Sequence, residues 1–174
     1  MIRAGIFGPS MCGKTTLARH LSRAYWCRYR VPSLVLDPHL ESWGPQSWVT
    51  TDEEVFWDVV WHKRRGCLVI VEEAAATIRR ERELVPLFTR LRHLDHKLLV
   101  CGHDGTDLLP TMRRNFDELF LFLQPSSAVE LWQGDIPDMA GVEAACSLHR
   151  YEFLHCRKFS QAQRKRLGET EAAT

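Results

Sequence analysis

The chain has 174 residues, 45% of them apolar and 26% charged, with a formal net charge of +1. That is enough for one domain around a buried sheet and hardly enough for two. A charge this near neutrality gives no whole-molecule attraction for nucleic acid, so any basic footprint must be local; no stretch approaches the roughly 20 apolar residues of a membrane span.

Residues 2–7 read as a first, apolar strand, and Arg3 and Gly5 make it a poor secretory leader. Directly behind it stands Gly8-Pro9-Ser10-Met11-Cys12-Gly13-Lys14-Thr15, which is G-x-x-x-x-G-K-S/T, a phosphate-binding loop. Its glycines let the backbone wrap a polyphosphate with amide N–H groups pointing inward. Lys14 can reach the β- and γ-phosphates, and Thr15 can place its hydroxyl on Mg²⁺. The expected nucleotide-binding segment therefore runs from Gly8 through Thr16. Residues 13–29 read as a helix with Leu17, Leu21, Ala24 and Tyr25 on one face, and its positive end adds to the pull on phosphate.

Residues 33–36 form a second strand closed by Asp37-Pro38. A carboxylate there either orients a nucleotide or a water, or serves the turn. A loop rich in Trp, Pro and Gly follows. Thr51-Asp52-Glu53-Glu54 is a capping box opening a helix to about residue 64, with Gly66 ending it. Residues 67–71 are a third strand, almost wholly apolar, suited to the middle of a parallel sheet. It ends in Glu72-Glu73, the pattern of a Walker B strand, which delivers carboxylates to the metal shell and to the attacking water.

Residues 84–94 read as an amphipathic helix, 97–101 as a fourth strand, 106–115 as a short helix and 119–123 as a fifth strand. Beyond Pro125 the pattern weakens to a helix around 138–148 and an alternating stretch over 151–156. The polar, basic tail from Gln161 is expected to fray. The domain is drawn over 1–158, the tail over 159–174. Strands alternating with helices give an α/β fold with a parallel sheet wound on both faces. Cys67 and Cys101 fall on core strands and Cys12 in the loop. That is reduced-thiol usage, and the expected setting is cytoplasmic. Cys146, His149, His155 and Cys156 match no common zinc spacing, and the cysteines read as buried thiols. The six tryptophans read as core or subunit-interface packing.

Thr89-Arg90-Leu91-Arg92-His93 precedes the fourth strand and Gly102-His103-Asp104 follows it; then comes LLPTMRRNFDELFLF, from Leu108 to Phe122. With the phosphate loop and the acid-ended third strand, this order resembles the FtsK–HerA-type P-loop ATPases. It is most similar to the small viral DNA-packaging ATPases of phages and large DNA viruses. The likeness covers residues 1–124, and the stretch from Arg90 to Phe122 is its more specific part.

The resemblance implies a three-layer α/β/α sheet of the additional-strand, catalytic-Glu type, with ATP and Mg²⁺ as cofactors. It makes Glu73 the catalytic carboxylate and puts Glu72 at a metal position where the family usually has Asp. Arg92, or its neighbour Arg90, would act in trans on the next subunit's ATP. His103 falls where the family usually has a γ-phosphate-sensing Gln. Arg113 and Arg114 compete with Arg92, or contact DNA. Partners implied are a homomeric ring, double-stranded DNA, and a capsid portal or other virion partner, in the host cytoplasm or associated with the virion. The basic clusters available for DNA are Lys63-Arg64-Arg65, Arg79-Arg80-Arg82, and Arg157-Lys158 with Arg164-Lys165-Arg166. The rival readings are a small P-loop kinase with Arg79, Arg80 and Arg82 as a lid, a phage assembly factor of the zonula-occludens-toxin type, and a nucleotide-binding module with negligible turnover.

Overall fold

The computed structural model describes residues 3–78 and 81–168. Ten strands form: β1 (Arg3–Phe7), β2 (Ser33–Leu36), β3 (Ser47–Thr50), β4 (Leu68–Val71), β5 (Lys97–Gly102), β6 (Glu118–Leu121), β7 (Met139–Ala140), β8 (Glu152–Arg157), β9 (Ser160–Gln161) and β10 (Gln163–Arg166). Eight make one sheet in the order β10-β8-β6-β1-β5-β4-β2-β3, while β7 and β9 pair separately. The six strands from β6 to β3 are parallel; β8 and β10 close one edge antiparallel. The expected α/β sheet is present, and β5 is inserted between the phosphate-loop strand β1 and the acid-bearing strand β4. That insertion is the additional-strand arrangement.

Side chains alternate along the strands, so each strand feeds two cores. Ile6, Ile70, Leu99 and Phe120 pack under helix α1 (Lys14–Tyr29) with Leu17 and Ala18. Phe7, Val71, Val100 and Leu121 face the other way. There they meet Phe56 of α2 (Glu53–Asp58), Phe88 of α4 (Val85–Thr89), Met112 of α5 (Pro110–Arg113) and Trp132 of α6 (Ser126–Asp135). A further turn, α3 (Ala74–Thr77), follows Glu73. The layers are therefore α/β/α. Trp43 and Trp132 are core residues, while Trp48 on the edge strand stays partly exposed.

Several local expectations are corrected. The loop rich in Trp, Pro and Gly contains β3, paired in parallel to β2 from Ser47 to Thr50. Asp52, rather than Thr51, caps α2, accepting from Val55 N–H at 2.9 Å. The 84–94 helix is broken: α4 covers Val85–Thr89, and Leu91–Leu94 form a 3-10 turn that ends on Asp95 in the left-handed region. Its apolar stripe holds regardless, because Leu87, Phe88 and Leu91 are buried. Residues 138–148 form no α-helix; Gly141 at φ +84 interrupts them, and Val142–Ser147 is a 3-10 segment. The helix there is α6, directly after Pro125. The basic tail does not fray where described, because Gln163–Arg166 pairs antiparallel with β8. Of the two cysteines read as buried thiols, Cys156 is buried but Cys146 is exposed; Cys27 is exposed as well, and Cys12, Cys67 and Cys101 are buried.

Candidate nucleotide site

In parallel α/β sheets, ligands sit at the carboxyl ends of the strands. The loop after β1, the acids after β4 and His103 after β5 all emerge there. Phe7 pairs with Gly102 and Val71 with Val100, so Glu72 and Glu73 come off β4 level with Cys101 and Gly102. Gly8 N–H continues the ladder, donating to Gly102 O at 3.2 Å.

The loop needs its glycines for space and for backbone. A Cβ on Gly8 would lie 2.5 Å from Cβ of Phe122, just past the end of β6. Gly13 has φ +108 and its missing Cβ leaves room for Leu167, whose Cδ1 would be only 2.3 Å away. Gly13 is the N-cap of α1 and its carbonyl accepts from Leu17 N–H at 2.9 Å. Pro9, Ser10 and Met11 are exposed around the loop, Met11 in the left-handed region at φ 60. Lys14 is nearly buried; its Nζ donates to the carbonyls of Gly8 and Pro9, each at 3.0 Å. Thr15 is half-buried and Thr16 exposed at the first turn of α1. Burial raises the pKa of the Cys12 thiol, so at neutral pH it is a protonated packing group beside Lys14.

Glu72 is 5% exposed. Burial pushes its pKa up to about 7; the negative charges of Asp37 and Glu73 add to this, and a Cys101 hydrogen bond and Lys14 oppose it. Its Oε1 is buried without a hydrogen-bond partner. An acid left in that state is a fit for a cation, since an orphaned buried oxygen costs about 1–3 kcal/mol. Among the described residues, no three His, Cys, Asp or Glu side chains converge to hold a metal by themselves. One carboxylate and one hydroxyl completed by phosphate oxygens is how Mg²⁺ is commonly held.

Glu73 sits at φ 53, a left-handed conformation unusual for a non-glycine residue and of the kind found at functional sites. Its Oε2 lies 3.9 Å from Nε2 of His103, both side chains partly open to solvent. The site thus gathers Gly8 through Thr16, Glu72, Glu73 and His103.

It does not gather the arginines. Arg90 and Arg92 are exposed beside the 3-10 turn that enters β5, at the opposite end of the sheet. Arg92 borders the same small cavity as Arg3, which opens β1. Arg3 itself is tied to Asp117, Asn115 and the Phe88 carbonyl. Five strand residues, about 16 Å, separate that end from the loop. Arg113 is excluded from any neighbouring site: it is buried, its Nε 2.5 Å from Asp135 and its Nη1 on the carbonyls of Gly105 and Leu108. Arg114 remains exposed. Arg79 and Arg80 lie outside the described residues, and Arg82 is exposed.

Asp37 takes the turn role. Its carboxylate accepts from His39 N–H, Glu41 N–H and Trp43 Nε1–H. Two neighbours of the site were not legible in the sequence. The buried Cys101 thiol lies beside Glu72 and works against the rise in its pKa. Gln124 is buried beyond β6, its Nε2 donating to His103 O at 3.4 Å and its Oε1 unpartnered. Only strand register exposes both.

No family model and no curated protein matches this chain. Solved structures do. The genome packaging NTPase B204 of Sulfolobus turreted icosahedral virus 2, in complex with sulfate, matches with a TM-score of 0.77 at 15% identity, covering 95% of this chain and 95% of that one. With AMPPCP bound, the TM-score is 0.74 at 16% identity, covering 95% and 96%. The N-terminal domain of zonular occludens toxin from Neisseria meningitidis matches at 0.58 and 14% identity, covering 95% and 92%. At such identities the likeness is one of fold. The chain has the α/β fold of the P-loop ATPases, a fold it shares with these viral genome-packaging NTPase structures and with the toxin domain.

Proposed function

We propose that this chain is an ATP-hydrolysing motor subunit that packages or translocates double-stranded DNA, of the viral or phage type. The observation that carries this reading is the placement of β5 between β1 and β4. Phosphate loop and acids then face each other across one intervening strand, a gap of about 10 Å. That is room for a γ-phosphate and an attacking water.

In this reading the loop amides, Lys14 and the positive end of α1 hold the charge of the phosphates. Glu73 accepts a proton from the water as it attacks in line. His103, beside Glu73, orients it or the phosphate with one ring N–H. Mg²⁺, held by Thr15 and Glu72, would supply further charge neutralisation when bound. Arg92, or Arg90, is too far from its own loop to serve it, so it would complete the site of the next subunit. That requires a homomeric ring. The ring would work in the host cytoplasm, docked on a capsid portal or another virion partner. Among the described residues no helix is long and apolar enough to cross a membrane.

The test is ATPase turnover with and without double-stranded DNA, on wild type and on Glu73→Gln. DNA-stimulated turnover that falls at least about 100-fold in the variant, with ATP analogue still bound, is expected. Phosphorylation of a small acceptor without DNA stimulation would mean a kinase, and binding without turnover a nucleotide-sensing module. The fold likeness to the toxin domain favours one second reading, a nucleotide-dependent phage assembly factor. Nucleotide-driven association indifferent to DNA would identify it.

A further inference from the structure

Two basic segments far apart in the sequence become neighbours in the fold. Helix α1 carries Lys14, Arg19, Arg23 and Arg28 and no Asp or Glu. The edge pair β8 and β10 carries Arg157, Arg164, Lys165 and Arg166. A groove of about 320 Å³ runs between them, with Tyr25, Arg28 and Tyr29 on the helix wall and Arg157 and Lys165 on the strand wall.

A polar chain crosses the groove among apolar lining residues such as Leu21 and Phe153. The His155 ring stacks on Phe120 at 4.5 Å. Its Nε2 lies 2.8 Å from Glu118 and its Nδ1 3.3 Å from Nζ of Lys165. Glu118 is the single carboxylate lining the groove. Burial works against its charge, but His155 and Arg157 hold its pKa below the ordinary value, so it stays ionised and engaged. Arg19 and Arg164 are paired with Glu41 and Glu152. Arg23 and Arg28 are exposed, and neither is in an ion pair with a described residue. One carboxylate therefore stands against Arg28, Arg157 and Lys165, while Arg23 lines a separate cavity on another face of the helix.

We propose that this groove is the docking surface for the sugar–phosphate backbone of double-stranded DNA. The inference rests on the reading of the chain as a DNA-tracking ATPase and names the surface that reading lacks. Arg, Lys, Tyr and His are donor side chains suited to positioning a phosphate backbone. Leu17, Leu21, Phe120 and Phe153 also line the groove, but the Lys165–His155–Glu118 chain crosses it and cations stand on both walls, which favours a phosphate backbone over the apolar anchor of a protein partner. The position also supplies coupling. Helix α1, 16 residues and about 24 Å long, runs as one rigid element from the phosphate loop to Arg28. Backbone contact at one end and nucleotide at the other load the same helix.

The test is binding of a fluorescent duplex of about 30 base pairs, followed by anisotropy from roughly 50 to 200 mM salt. The groove variant combines Arg28→Gln, Arg157→Gln and Lys165→Gln, all lining the groove; the control combines Lys63→Gln, Arg64→Gln and Arg65→Gln, exposed ahead of β4 and four strands across the sheet from β8. Each lost phosphate contact lowers the slope of log affinity against log salt by about 0.9, so the groove variant is expected to lose about 2–3 and to bind at least about tenfold more weakly. ATP-analogue affinity and melting temperature should hold in both variants. Groove and wild-type slopes that coincide, or a loss confined to the control, overturn the surface and leave the functional reading intact. A groove variant altered only in self-association overturns it too, and makes the groove a contact between copies. Wild type that fails to bind duplex at any salt overturns the functional reading itself.

Discussion

His96 ties three elements together through two buried hydrogen bonds, and its replacement has a defined cost. The ring is 2% exposed just before β5. Its Nδ1 accepts from Cys67 N–H at 3.0 Å, at the entry to β4, which leaves Nε2 to carry the proton and donate to Val60 O at 3.0 Å. Burial depresses its pKa below the ordinary value. In His96→Leu the Cys67 N–H is stranded at about 1–3 kcal/mol, and the Val60 carbonyl somewhat less, for a total of about 2–4 kcal/mol. For a chain of this length that is roughly 5–15 °C in Tm. A second signature follows from the proton. Below about pH 6.5 the unfolded histidine takes up a proton that the folded one refuses. Wild-type stability from this residue is complete above that pH and falls as pH drops through the folded value, by at most about 1.4 kcal/mol per unit. The variant lacks this slope. Urea unfolding at about pH 7.5, 6.5 and 5.5 measures both, and the other histidines cancel in the difference. The gap between the two proteins should narrow as pH falls. A pH-independent gap, or one under about 0.5 kcal/mol, would refute the reasoning.

Arg113→Met removes the partner of a nearly buried Asp135 and is expected to cost about 3–5 kcal/mol in denaturant unfolding. Arg114→Ala, on the same carboxylate but largely exposed, should cost less than about 1 kcal/mol. Alkylation of the native protein, read by mass spectrometry, should label Cys27 and Cys146 first; Cys12, Cys67, Cys101 and Cys156 should react only on unfolding. Glu72→Gln removes a buried charge that nothing in the nucleotide-free protein fully satisfies. It should raise that protein's Tm at pH 8 while abolishing Mg²⁺-dependent hydrolysis; a lower Tm would mean that Glu72 is structural.

The sequence by itself determined the features whose chemistry is local. The loop over residues 8–16 was legible as a phosphate-binding pattern because glycine spacing, Lys14 and Thr15 sit within one short segment. The run ending in Glu72-Glu73 must be a buried strand because nothing in it can face water. The apolar stripe of residues 84–94 survived even where the helix broke. Only the tertiary structure decided what depends on strand order and register. The insertion of β5 fixed which acids face Lys14 and placed Cys101 against Glu72. Burial of Arg113 against Asp135 took one arginine out of contention, and the distance along β1 left Arg90 and Arg92 no role in their own site. Residues 161–166 read as part of a fraying tail because polar, basic strands carry no apolar alternation. Gln161 is ordered by backbone pairing to β7 and residues 163–166 by pairing to β8, bonds that no side-chain pattern announces.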